Sequence, residues 1–383
     1  MKCFIMTSCL RILSVMVITV SGSYAQTPPT KSPLHPPQNA LSVVSQPNGI
    51  LLGTHWSSGD TNFGELEPGE RTLWIAQTGA EIQVREIPNL LVPRTDGFWH
   101  MGTKEVRKGE NLERYIWTAP LGQKPTPHET NPHWTESSES VQSEQTVRDL
   151  LFVGDKYLAV KLFEADMGGN YGESTTYYVS NFQKPNLDFG KVRLDISAVL
   201  GPAGLAAFSK AANAKQDMTF EGTDCAPFWK PTPSDWTISR KKGRWVAQAN
   251  GVLADRSCAG LFGRMFDLNL KLPRNVVGYD ELATGWTTVE KAFTGATDAF
   301  ESLNHQFLIA VTDKEIIVCR LDSDKVAAVV HREKLRENET VVMAQWALGK
   351  SVSRWDEQVR SEGGSGGSPS RSKARQPYRL VSK

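Results

Sequence analysis

Cysteine, histidine and long apolar runs are all scarce in this 383-residue chain, and each scarcity excludes something. Five cysteines are too few for the dense disulfide framework of a small secreted domain. Seven histidines leave little material for a metal site. His128 and His133 come closest, but they stand five residues apart in His-Glu-Thr-Asn-Pro-His. A zinc protease helix needs its histidines four apart, and Pro132 opposes a helix here. Charge of one sign is missing too: 43 basic residues face 42 acidic ones. Nucleic acid binding calls for a basic face, so it is not expected. No apolar run reaches the roughly 20 residues of a membrane-spanning helix, and no transmembrane anchor is expected.

The most informative stretch that is present opens the chain. Lys2 and Arg11 precede a short apolar run from Ile12 to Val20, and Ser23-Tyr24-Ala25 offers a small-x-small cleavage site before Gln26. That layout predicts a secretory signal peptide over residues 1–25 and a secreted or periplasmic destination. Cys3 and Cys9 depart with such a leader, and neither follows a Leu-x-Ala/Gly pattern that would suggest lipid attachment. Three cysteines then remain. Cys225 and Cys258 both lie in turn-like sequence, whereas Cys319 lies in the strand-like run Glu315–Leu321, on one face with Ile317 and Leu321. We therefore expect a Cys225–Cys258 disulfide, worth roughly 3–4 kcal/mol for a loop of about 33 residues, with Cys319 as inert core. Three reduced thiols are the alternative.

Residues 26–40 are proline-rich and polar and read as a linker, and residues 361–383 are Gly/Ser-rich and basic, without an acid after Glu362. A disordered tail is expected there. The body spans 41–360, with a candidate junction at 120–146, where prolines and serines dominate.

Within the body the apolar period is mostly two, which predicts strands. Four hairpins follow from tight turns: Thr72–Ala76 with Glu81–Arg85, Leu150–Val153 with Lys156–Phe163, Trp236–Arg240 with Arg244–Ala247, and Phe307–Val311 with Glu315–Leu321. Tyr177–Ser180, Lys191–Ile196 and Phe266–Leu272 add further strands. One helix is expected at 202–215, with Pro202 in its first turn and Leu205 and Phe208 as its apolar stripe. Residues 341–358 fit either a strand plus turn or a short helix.

A recurring unit organises these strands. A turn is followed by an aromatic and an alternating strand at Asp96-Gly97-Phe98, Asp155-Lys156-Tyr157, Gly243-Arg244-Trp245 and His305-Gln306-Phe307. Repeated β-units with one large aromatic each predict an all-β, mostly antiparallel fold, an irregular β-propeller in preference to a β-sandwich. The intervals are uneven, so insertions and one unmarked blade are required.

Chemistry-bearing motifs are weak. Gly363-Gly364-Ser365-Gly366-Gly367 matches a nucleophile elbow as a string, but it lacks the strand and helix that would strain the serine. Ser239 and Lys242 match Ser-x-x-Lys across a predicted hairpin turn. Asp166 and Glu173 flank a glycine-rich tip and form the one carboxylate pair suited to polysaccharide hydrolysis. Trp134 in the polar loop and Tyr171 at the tip are the aromatics best placed to be exposed for binding. Trp74, Trp99, Trp117 and Trp245 fall in strand-like runs and are expected in the core. His55, His100, His305 and His331 show no sequence partner. The chain thus reads as a non-catalytic binding or scaffold module without cofactor or metal, its partner a glycan or another exported protein. A secreted polysaccharide hydrolase using Asp166 and Glu173 is the alternative.

Overall fold

The first and last strands of the body pair with each other, so the sheets close into a ring. The computed structural model describes residues 46–57, 67–108, 111–123, 144–166, 172–182, 192–215, 231–251, 264–322 and 325–362. The closing sheet runs in the order β17 (Thr340–Leu348), β1 (Asn48–Trp56), β2 (Gly69–Thr78), β3 (Glu81–Pro88). A long sheet follows, with β4 (Leu90–Arg94), β5 (Gly97–Lys108), β6 (Asn111–Pro120), β7 (Glu144–Val153), β8 (Tyr157–Asp166) and β9 (Gly172–Asn181). After helix α1 (Ile196–Lys215) comes a small sheet of β10 (Trp236–Lys241), β11 (Arg244–Gly251) and β12 (Arg264–Asp267). Short helices α2 (Arg274–Val277) and α3 (Trp286–Ala292) lead to the last sheet, β13 (Ala296–Glu301), β14 (Phe307–Thr312), β15 (Glu315–Asp322) and β16 (Lys325–Lys334). Helix α4 (Lys350–Glu362) follows β17.

The four sheets are the blades of a β-propeller. Antiparallel pairing of Asn48 with Leu348 through His55 with Thr340 joins the two ends of the body. Closure of this kind removes the two edges an open ring would expose. Strands β7, β10 and β17 touch one another at the centre. The one parallel contact among the described strands is short, Leu112–Arg114 on β6 against Gln145–Val147 on β7, so the long sheet consists of two three-stranded meanders. Phe98, Tyr157, Trp245 and Phe307 stand at the openings of β5, β8, β11 and β14, the second strand of each meander.

Strands β1 and β2 of the closing sheet are buried on both faces, and their period of two divides their residues between two cores. Ile50, Leu52, Leu73 and Ile75 join a central cluster with Phe152, Trp236, Trp245, Phe307 and Ile309. Leu51, Trp74 and Ala76 face the other way, toward Leu91, Met101, Ile116 and the α4 residues Val352, Trp355 and Val359. Trp74 sets the local geometry: its indole N–H donates to Asp356 at 3.1 Å, and a Cβ on Gly49 would lie 2.3 Å from its ring. Only glycine fits beneath that indole.

Three seams between blades are closed by buried arginines. Between the closing and long sheets, the imidazole of His55 lies 2.8 Å from Glu70 and 3.4 Å from Asp149, and Arg114 donates to Asp149 at 2.7 Å and to Glu105 at 3.0 Å. Thr103 donates its amide and hydroxyl to Glu70. Burial alone would lower the His55 pKa, but hydrogen bonds to Asp149 and Glu70 and their charges raise it to about 9. Burial would raise Asp149, yet His55 and Arg114 hold it down at about 2. Between the last and closing sheets, Arg71 pairs with Glu339, Glu86 and Glu333 and donates to the Lys334 carbonyl. Between the small and last sheets, Arg240 pairs with Asp298 at 2.7 Å and donates to the Ala299 carbonyl, stacked over Phe300. The fourth seam, from long sheet to small, is aromatic: Phe152 meets Trp245 edge-on at 4.8 Å, and the Trp236 indole donates to the Leu194 carbonyl.

Several sequence expectations need correction. Residues 192–195 form no strand, and Ile196 opens α1. The strand expected at Phe266–Leu272 ends at Asp267, because Asn269 takes a φ of 50° that leaves the ladder. Helix α1 has two parts joined at Gly201 (φ 65°), the second starting at Pro202 as expected. Its stripe differs. Phe208 is buried with Ala207, Ala211 and Ala212 packed beside it, but Leu205 is exposed. Gly204 lies on the packed face, where a Cβ would meet that of Leu200 at 2.5 Å. The ambiguous stretch resolves as both elements: β17, a turn at Gly349 (φ 53°), then α4. Trp74 and Trp245 are core, whereas Trp99 and Trp117 are only half-buried. Cys319 is a free, buried thiol in one cluster with Ile317 and Leu321, its pKa pushed up to about 12 by burial.

Candidate functional site

A well-defined concavity among the described residues is built where β12 stops. The hairpin β10–β11 turns at Lys242 and Gly243, both in left-handed backbone (φ 47° and 83°). The Gly243 amide donates to Asp298 at 2.7 Å, which fixes the turn against the last sheet. Beyond β12, Asn269 turns the chain away from the sheet. Leu270–Leu272 and α2 then run out, and Gly278 (φ 62°) reverses the chain into Tyr279-Asp280-Glu281. Between β11 and this excursion lies a cleft of about 420 Å³, within the range of small-molecule sites. Ala247, Leu270, Leu272 and Val277 line it together with Arg244, Lys271, Arg274, Asn269, Tyr279 and Glu281.

The charges lining the cleft are not equally available. Asp280 is held by Arg240 and accepts the Trp245 amide at 2.6 Å. Asp267 accepts Lys241 at 2.6 Å and Gln248 at 2.8 Å. Burial would raise the Asp267 pKa, but those donors and the charge of Arg244 bring it below its ordinary value. Both aspartates are thus committed to the protein. Arg244 and Arg274, by contrast, are exposed and have no carboxylate within 4.0 Å among the described residues. Lys271 reaches Glu281 at 3.5 Å, with both side chains more than half exposed, a pair worth little. The uncommitted charge of the cleft is therefore positive.

Tyr279 forms the far wall. Its ring meets Trp346 edge-on at 5.9 Å, and Trp346 leans on Phe307 at 5.9 Å. Burial, with Glu301, Glu281 and Asp280 nearby, pushes the phenol pKa up to about 12, so the hydroxyl stays a donor. Glu301 behind it is buried, accepting the Thr284 amide at 2.7 Å and lying 2.6 Å from His305 Nδ1. None of the cleft-lining residues is a serine, threonine, cysteine or histidine.

The residues singled out from the sequence lie elsewhere. Trp134, Tyr171, Cys225 and Cys258 fall outside the described residues. Asp166 and Glu173 are described by backbone alone, where β8–β9 pairing sets Asp166 opposite Gly172 and Ala165 opposite Glu173, on neighbouring rungs. Ser239 donates to Gln248 at 2.6 Å and Lys242 sits in the hairpin turn, so the Ser-x-x-Lys string is hairpin structure. The histidines without a sequence partner each have a carboxylate: His55 with Glu70 and Asp149, His100 with Glu362, His305 with Glu301, His331 with Glu333. Sequence reading missed the cleft altogether. Its one signal was Asn269, which interrupts the run Phe266–Leu272 expected as a strand.

Fold and site together define a four-bladed β-propeller with a cationic side cleft. No protein-family model matches the sequence, and neither a curated protein nor a solved structure matches it.

Proposed function

We propose that this protein is an exported, non-catalytic binding module that takes its ligand in the cleft between β11 and residues 269–281. The observation that carries this reading is the division of charge just described. The cleft's aspartates are committed to internal partners, while its arginines are left free to meet a ligand. A hydrolytic site would need two such groups converging on the bound molecule, an acid and a base or nucleophile, and Glu281, balanced only by the exposed Lys271, is the single carboxylate that the cleft leaves without a committed partner. Leu270, Leu272 and Val277 supply an apolar floor and Tyr279 a flat wall with a hydroxyl, a combination suited to a small polar molecule with one apolar face. Export rests on the leader-like first 25 residues.

The test is a panel of soluble oligosaccharides, neutral and acidic, titrated into the mature protein and into a Leu270→Trp variant that fills the cleft. Binding of at least one member, lost in the variant and without turnover of the ligand, supports the reading. Cleavage of any panel member, or binding that the filled cleft leaves unchanged, overturns it.

A further inference from the structure

We propose that the cleft is specific for an acidic saccharide, a hexuronate unit whose carboxylate is clamped between Arg244 and Arg274. This deepens the binding-module reading and rests on it.

The argument starts from what those two side chains lack. Most of the other described arginines are neutralised: Arg71, Arg114 and Arg240 are buried among carboxylates, and Arg94, Arg107, Arg148, Arg332 and Arg360 have acidic neighbours, while Arg193, Arg320 and Arg354 have none among the described residues but do not line the cleft. Arg244 and Arg274 come from different elements, β11 and α2, yet line one cleft and face no acid within pairing distance among the described residues. Guanidinium groups favour planar oxyanions because two parallel N–H donors match two carboxylate oxygens. The anion must also bring hydroxyls and an apolar face. Asn269, Lys271, Glu281 and the Tyr279 hydroxyl supply donors and acceptors around the rim, and Leu270, Leu272 and Val277 supply surface for ring C–H groups. Glu281 disfavours a doubly charged group at the arginines, since it sits on the same rim and is balanced only by the exposed Lys271. A singly charged carboxylate on a hydroxylated ring satisfies all of these features, whereas a phosphate ester, carrying up to two charges, is penalised by Glu281.

Isothermal titration calorimetry on the mature full-length protein tests this with three probes: an oligogalacturonate, a neutral oligosaccharide of the same length, and a hexose phosphate. Arg244→Gln and Arg274→Gln are compared with Arg354→Gln, an exposed α4 arginine away from the cleft that controls for general charge. We expect the oligogalacturonate to bind, affinity to fall about tenfold or more for each cleft variant, and Arg354→Gln to change nothing. Preference for the hexose phosphate, or oligogalacturonate affinity unmoved by both cleft variants, overturns the proposal. Two failures are distinguishable. If the neutral sugar binds and Leu270→Trp abolishes it, the acidic specificity is wrong while the binding module stands. If no probe binds, the acidic specificity falls, and the broader panel decides the module.

Discussion

His55 makes the stability of this propeller pH-dependent on the alkaline side, where few proteins have a histidine signature. Its imidazole is buried between Glu70 and Asp149, with Arg114 on the far side of Asp149. In the unfolded chain the group titrates near 6.5; in the fold it titrates near 9. The difference corresponds to roughly 3 kcal/mol of stabilisation, counted once for the whole His55–Asp149–Glu70 cluster because the partners share it. The sign follows from the direction. The folded state holds its proton more tightly, so the contribution is complete below pH 6.5 and disappears as the pH rises through about 9. The perturbation is therefore pH itself, set against a His55→Gln variant that cannot titrate. Urea unfolding of both proteins from about pH 6 to about pH 10 isolates the effect, since tyrosines, lysines and thiols titrate alike in both. The wild type should be the more stable at the acidic end by about 3–5 kcal/mol, the cost of breaking a buried pair. The gap should narrow by roughly 3 kcal/mol across the range. Nuclear magnetic resonance should show an imidazolium at pH 8. A stability gap that stays constant with pH, or a neutral His55 ring at pH 8, would refute the reasoning.

Other expectations follow from the same contacts. Asp149 titrates near 2, below its ordinary 3.8, so its contribution is present above pH 3.8 and is lost as the pH falls toward 2; Asp149→Asn should flatten the acid limb of urea unfolding midpoints. Arg114→Met leaves Asp149 to His55 and Glu105 to Arg107 at the seam between the closing and long sheets and should cost about 1–3 kcal/mol by urea unfolding. Gly49→Ala drives a methyl into the Trp74 ring and should cost about 1–3 kcal/mol, read as a lowered thermal midpoint. Cys319 should escape maleimide labelling in the native protein and label on unfolding, as peptide mass mapping would show.

The repeat was legible in the sequence because it is a local pattern. A tight turn followed by an aromatic marks the start of a second strand, and Phe98, Tyr157, Trp245 and Phe307 each hold that place. The uneven spacing also has a physical cause. Helix α1 is inserted between β9 and β10, which lengthens the Tyr157–Trp245 interval without disturbing the meander on either side. The unmarked blade is the closing one. Its strands come from both ends of the body, so no single stretch of sequence carries its pattern. The Cys319 face was readable for the same local reason: residues 317, 319 and 321 alternate with their neighbours and share one cluster, while Ile316 and Val318 face the central one.

What escaped was everything set by long-range register. Arg71 meets Glu339 from 268 residues away, and His100 meets Glu362 from 262 away. No local spacing encodes such pairs; they exist only once the ring has closed and the last strand lies on β1. His305 and Glu301, four apart, and His331 and Glu333, two apart on one strand, were the exceptions that could have been found by spacing alone. The cleft belongs to the first kind. Its apolar residues Leu270 and Leu272 look like strand in isolation, and only the left-handed backbone at Asn269 shows that they leave the sheet. The arginines then matter for a reason that composition hides: a chain with almost equal numbers of acids and bases still has uncommitted cations wherever folding spends the acids elsewhere. Arg240 takes Asp280, Lys241 takes Asp267, and Arg244, three residues further on, is left facing the cleft.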